Sequence, residues 1–216
     1  MEITWLGHSC FKIKGKKVTV ITDPYDDSIG YTMGEQKADI VTLSHFHLGH
    51  CCVKSISGSP RVISSPGEYD VSGVAIKGIR SFHDAVKGEE RGKNIIYLID
   101  IDGVRICHLG DLGHVLDAEK ASDLSDVDIL MIPVGGSSTI GASDAAEMAR
   151  LLEPKVVIPM HYKTDAVVRS EMDSIDKFRK EMGVKPEVQP ERKLVIGKSG
   201  LPQEAQVFIM DYQSAG

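Results

Sequence analysis

Ser44-His45-Phe46-His47-Leu48-Gly49-His50 puts three imidazoles on one short loop directly after the apolar run Asp39-Ile40-Val41-Thr42-Leu43. Imidazoles at i and i+2, with a third three residues further on, let a single loop feed two adjacent metal positions. Neutral imidazole suits zinc, copper, iron and nickel, and a nearby carboxylate tips such a site toward hydrolytic zinc or a mixed N/O metal. Read alone, the stretch also fits a surface histidine cluster that holds no metal. The rest of the chain decides between the two.

Three other segments repeat the pattern of a ligand-type residue at the end of a β-type run. His161 follows Val156-Val157-Ile158-Pro159-Met160, His83 follows Ile79-Arg80-Ser81-Phe82, and Asp111 lies in His108-Leu109-Gly110-Asp111-Leu112-Gly113-His114 just past a run ending at Cys107. A lone histidine is more often a satisfied or exposed residue than a ligand. Four segments that each deliver a His or Asp at a strand terminus are explained by one converging metal site.

The frame around these loops reads as one domain spanning 1–216. A chain of 216 residues with 42% hydrophobic content can bury a substantial core. Lys plus Arg number 25 and Asp plus Glu 31, a formal net charge of −6, so no overall basic field draws in nucleic acid. The opening Met1-Glu2-Ile3-Thr4-Trp5 lacks a charged region followed by an apolar run, and no apolar stretch approaches the roughly 20 residues of a membrane span. The expectation is a cytoplasmic protein outside the membrane, with Cys10, Cys51, Cys52 and Cys107 as reduced thiols.

The first half is rich in short β-type runs: Ile3–Leu6, Cys10–Lys14, Val18–Thr22, Ile40–Leu43, Arg61–Ser64 and Val74–Ile79. Asp102-Gly103 between Asn94–Ile101 and Val104–Cys107 predicts a two-residue hairpin, since both residues tolerate positive φ. The second half alternates. Strand-like Ile129–Ile132 and Lys155–Ile158 are interleaved with helices near Ser143–Leu152, with Ser143 as N-cap, and near Arg169–Met182, stopped by Gly183. The pattern predicts two packed sheets with helices outside and chemistry on strand-end loops. The amphipathic helices serve to cover the sheets or to meet a partner.

With these motifs in order, the chain resembles the metallo-β-lactamase superfamily, specifically its small single-domain Zn-dependent hydrolases, along essentially its whole length. Trp5-Leu6-Gly7-His8-Ser9-Cys10-Phe11 resembles the family's opening strand pair. Ile21-Thr22-Asp23-Pro24 resembles the motif whose acid supports the metal loop, and Ser44–His50 the H-x-H-x-D-H loop. The resemblance implies an α+β fold, a four-layer αββα sandwich with the metals at one edge of the two sheets. It implies that His45, His47 and His83 hold one metal, that Asp111 bridges, and that His50 and His161 hold a second. Asp111 and His50 become the catalytic candidates, and a water held between the metals attacks the substrate. Zinc is the expected metal, with manganese, iron or nickel as alternatives.

This sequence departs from the family's pattern at Gly49, where an acidic ligand would stand. Three readings follow: an enzyme with one metal held tightly and the second weakly, a binding or sensing protein that has lost turnover, or substitution of the acid by another residue. Cys51 and Cys52 are near enough in sequence for the last, although residues after His50 are expected to start a helix and point away.

Around the ligands, Asp23 is expected to accept hydrogen bonds from the metal loop, and His8, His108 and His114 to line or support the pocket. For His108 a packed core imidazole is an equal reading, and for His8 a structural turn residue. Glu68 and Tyr69 read as a solvated turn. The Gly135-Gly136-Ser137-Ser138-Thr139 loop is expected at the substrate mouth, and Lys163 can pair with a substrate anion. The expected partner is a small-molecule substrate, an ester, lactone or phosphodiester, with a small phosphodiester or lactone preferred.

Overall fold

A computed structural model describes residues 1–167 and 171–213. The chain opens with β1 (Glu2–Gly7), β2 (Cys10–Lys14), β3 (Thr19–Thr22), β4 (Gln36–Lys37), β5 (Ile40–Thr42), β6 (Ile56–Ser57) and β7 (Arg61–Ile63). The long central strands follow: β8 (Gly67–Val71), β9 (Val74–Phe82), β10 (Lys93–Ile101) and β11 (Val104–His108). The remainder comprises α1 (Ala118–Ser122), β12 (Ile129–Pro133), α2 (Ala142–Leu152), β13 (Val156–Met160), α3 (Ile175–Glu181), β14 (Leu194–Val195) and β15 (Gln206–Val207).

Two mixed sheets result, one ordered β14-β1-β2-β3-β5-β7 and the other β15-β13-β12-β11-β10-β9-β8, with a small β4-β6 pair beside them. Their facing sides, including Trp5, Phe11, Ile13, Tyr97, Ile99 and Ile106, form one continuous buried core. Tyr97 ties the two layers together, since its hydroxyl lies 3.0 Å from both the Leu43 and Ile63 carbonyls at the ends of β5 and β7.

Strand direction decides where the loops go. In the first sheet β1 and β2 run antiparallel, as do β2 and β3, while β3, β5 and β7 are parallel, so β1, β3, β5 and β7 all end at the same edge. In the second, β9 and β11 both run antiparallel to β10, and β11, β12 and β13 are parallel, so β9, β11, β12 and β13 share an end as well. The residues that follow these strands, His8, Asp23, Ser44–His50, His83, Asp111 and His161, are therefore delivered to one rim.

The Asp102-Gly103 turn forms as expected, with φ values of 53° and 79°. The amphipathic face of α2, with Ala145, Ala146, Met148, Ala149 and Leu152 buried, packs on the second sheet and α3. Its start differs from the expectation: the N-cap is Gly141, and Ser143 lies in the first turn and makes no cap bond. The helix expected from Arg169 begins only at Ile175; residues 169 and 170 lie outside the described residues. The chain just before Ile175 spends its backbone groups on neighbours, with Asp173 N–H donating to Gly135 O and Asp173 O accepting from Lys163 N–H. Gly183 ends α3 with φ 65°. Outside the first sheet the covering layer is irregular chain with two 3-10 turns, built on Tyr25, Tyr31, Met33 and Ile56. Glu68 and Tyr69 belong to edge strand β8 rather than to a solvated turn. No helix among the described residues is long and apolar enough to cross a membrane.

Candidate metal centre

The rim gathers four imidazoles around one carboxylate oxygen. The Nε2 atoms of His50, His83 and His161 each lie 3.2 Å from Asp111 Oδ2, and that of His45 lies at 3.8 Å. All five residues are buried, whereas His47 projects from the same cluster on the solvent side. His45, His47 and His83 can present one ligand atom each within 4.8 Å of one another, and so can His8, His50 and His161. Asp111 reaches between the two sets.

Hydrogen bonds fix which ring nitrogens face inward. Buried Asp23, at φ 40°, accepts from Ser44 N–H at 2.7 Å, from Ser44 Oγ–H, and from His50 Nδ1–H at 3.0 Å. With its proton given to Asp23, Ser44 Oγ accepts from His45 Nδ1–H at 2.9 Å. Both rings thus turn Nε2 toward Asp111. Asp23 can also be grouped with His45 and His50 as a cation-holding set. The ring nitrogens it faces are already committed, so its role is orientation.

Electrostatics at the rim favour a bound cation. Burial, reinforced by the neighbouring His50, pushes the His45 pKa down to about 3, which keeps its imidazole neutral and ready to donate a lone pair. Burial also works against a charge on His50, but Asp111 and Asp23 on either side outweigh it and hold its pKa up at about 10. Burial alone would raise the Asp111 carboxyl; His161 and His50 hold it well below the ordinary carboxylate range. His45 Nε2 is buried with no hydrogen-bond partner. The neutral His45 imidazole with its orphaned inward nitrogen, and the ionised carboxylate shared among the rings, fit a bound metal ion, which would take the place of the His50 Nε2 proton.

Several supports lie outside the candidates drawn from the sequence. Asn94, fully buried at the start of β10, donates to Leu109 O and Ser81 Oγ and accepts from Asp111 N–H, so it sets the loop that carries the shared carboxylate. Gly110 is required there, because at φ 58° a Cβ would lie 2.4 Å from Asn94 Oδ1. Ser9 Oγ–H reaches Asp111 Oδ1 at 3.4 Å. Asp84, next to His83, accepts backbone N–H bonds from Val86, Gly88, Glu90 and Arg91 and folds the loop that brings Arg91 to the cavity. A polar residue opening an apolar strand is the one sequence clue to Asn94.

The other expected positions divide. His8 lies in the cluster, its ring 4.1 Å from that of His161 and 4.8 Å from that of His50. His108 is a packed imidazole: Nε2–H donates to Ser9 O at 2.8 Å and Nδ1 accepts from Gly110 N–H, so it shapes the Asp111 loop from below. His114 bonds Val115 O, packs on Phe82 and does not line the cavity. Lys163 is also away from the cavity, and the Gly135–Thr139 loop reaches it only through Ser138. Neither Cys51 nor Cys52 joins a cation-holding set among the described residues. The cavity above the cluster, about 570 Å³, is walled by Ile29, Phe46, Leu48, Val167 and Met172, with Arg91 and Ser138 at its polar side.

Two face-packed sheets with a histidine and aspartate centre at their shared rim define a protein of the metallo-β-lactamase class. A model of the beta-lactamase superfamily domain matches residues 2–161. The chain belongs to this superfamily and, within it, to the UPF0173 metal-dependent hydrolases. It is 33% identical to a UPF0173 metal-dependent hydrolase of Pelotomaculum thermopropionicum over 76% of this chain and 85% of that one. One from Archaeoglobus fulgidus is 29% identical over 87% and 94% of the two chains. A crystal structure of a metallo-β-lactamase superfamily protein from Thermotoga maritima aligns with a TM-score of 0.81 and 38% identity, over 98% of this chain and 99% of that one.

Proposed function

We propose that the protein is a cytoplasmic zinc-dependent hydrolase acting on a small molecule with an ester, lactone or phosphodiester bond. The observation that carries this reading is the convergence of four imidazole Nε2 atoms on Asp111 Oδ2 at 3.2 to 3.8 Å. His45, His47 and His83 would hold one metal, His50 and His161 the second, and Asp111 both. When bound, such ions supply a Lewis acid and bring the pKa of water to about 7.

The chain's own residues supply the rest. Asp23 and Ser44 hold the His45 and His50 rings in the ligating tautomer, and Asn94 and His108 hold the Asp111 loop. Phe46 and Leu48, each 71% exposed at the mouth, offer an apolar surface to the substrate body. Arg91 at the cavity's polar side suits a carboxylate or phosphate. Four free thiols accord with a reducing compartment, and the net charge of −6 supplies no overall basic field for nucleic acid.

Gly49 removes an anionic ligand from the second site, which weakens that site unless another group fills the place. It is also the observation behind a second reading, a ligand-binding protein with attenuated turnover on the same fold. A panel of generic esters, lactones and bis-aryl phosphates tests both. Metal-dependent turnover abolished by Asp111→Ala is expected; binding of a panel compound without its consumption would favour the second reading.

A further inference from the structure

We propose that the imidazole of His8 takes the place of the missing acid, so that the second metal is held by His8, His50 and His161 with Asp111 shared. The inference rests on the two-metal reading above. A Cβ built on Gly49 would lie 3.0 Å from His8 Nε2 and 3.2 Å from His8 Cδ2. The ring of His8 therefore occupies the space into which a side chain at position 49 would project. Glycine at 49 and histidine at 8 are two halves of one arrangement.

The backbone presents that ring deliberately. The β1-β2 hairpin carries an irregularity between Trp5 and Gly7, and the turn runs through Gly7 at φ 112° and His8 at φ 53°. The turn is clamped from two sides: Trp5 Nε1–H donates to His8 O at 3.0 Å, and His161 N–H donates to the same carbonyl at 3.1 Å. The second of these bonds links His8 directly to the residue whose ring it faces at 4.1 Å. A non-glycine residue at positive φ is uncommon and costs stability unless its surroundings hold it there. His8 is 9% exposed and lies on the cavity wall, with its ring against those of His50 and His161.

The exchange of carboxylate for imidazole removes one negative charge from the second site while keeping its ligand count. A site of three imidazoles and one carboxylate favours zinc, cobalt and nickel over manganese, which prefers oxygen ligands.

The test is metal content after dialysis against zinc, with cobalt absorption spectra as a second readout, on the full chain. The wild type is expected to retain two ions per chain. His8→Asn, chosen because asparagine tolerates positive φ, is expected to retain one and to bind the second more than about tenfold more weakly. The double variant His8→Asn/Gly49→Asp is expected to regain two, because the acid then has both the space and the vacancy. Two ions in His8→Asn at wild-type affinity, or only one in the wild type, would overturn the role of His8. Failure of the wild type to retain any ion would instead overturn the metal-centre reading itself.

Discussion

Asp23 and His50 are joined by a 3.0 Å hydrogen bond from Nδ1–H to Oδ2, buried on both sides, and this bond leaves His50 Nε2 aimed at Asp111. Asp23 accepts two further donors from Ser44, so one carboxylate aligns two rings of the same loop. Asp23→Asn keeps the shape but replaces one acceptor oxygen by an amide that must face a donor. Zinc affinity is expected to fall about 10- to 100-fold, measured by competition with a chromophoric chelator. An unchanged affinity would show that Asp23 does not orient the ligands.

Tyr97 is the polar rivet between the sheets. Tyr97→Phe removes the donor to Leu43 O and to Ile63 O; the latter still accepts from Leu43 N–H. The loss should cost about 1–3 kcal/mol of unfolding free energy in urea, the penalty for a buried acceptor left without its donor. A change below about 0.5 kcal/mol would mean that the carbonyls find another partner.

Asp84 links the site to pH through the loop that carries Arg91. Burial would raise its pKa, but the backbone N–H groups of Arg91, Gly88, Val86 and Glu90 bind the charged form and bring it below the ordinary value. Its contribution is therefore fully present above the unfolded value of about 3.9 and is lost as pH falls through the lower folded value. Hydrogen exchange, corrected for intrinsic rates, should show protection at amides 86, 88, 90 and 91 that persists to below about pH 4. Asp84→Ala should abolish it at pH 7, and protection surviving in that variant would refute the role.

Phe46 and Leu48 flank exposed His47 at the mouth. Phe46→Ser is expected to raise KM several-fold for substrates with an apolar body while kcat and metal content stay unchanged, the signature of lost uniform binding. Steady-state kinetics decide it; a lower kcat at constant KM would place Phe46 in the chemistry instead.

Much of this cluster was legible in the sequence because its residues follow strands. His45, His50, His83, Asp111 and His161 each sit just past a β-type run, and parallel strand ends meet at one rim whatever the loops between them do. The mate of Gly49 was not legible. His8 is brought beside it by a hairpin far away in sequence, and no periodicity encodes that a ring fills the space next to a glycine. Asn94 was likewise hidden, since its three hydrogen bonds run to Ser81, Leu109 and Asp111 on two other segments. Two-residue strands such as β14 and β15 are decided by tertiary pairing, not by apolar pattern. The late start of α3 has the same cause, because Gly135 and Lys163 claim the backbone of Asp173.

The cluster's identity as a metal centre is tested most directly by anomalous diffraction at the zinc edge from crystals of the zinc-loaded protein. Two peaks are expected, one within about 2.1 Å of ring nitrogens of His45, His47 and His83, the other similarly close to those of His50 and His161, with Asp111 between them. A map without a peak at any of these nitrogens would contradict the metal centre and every role assigned around it.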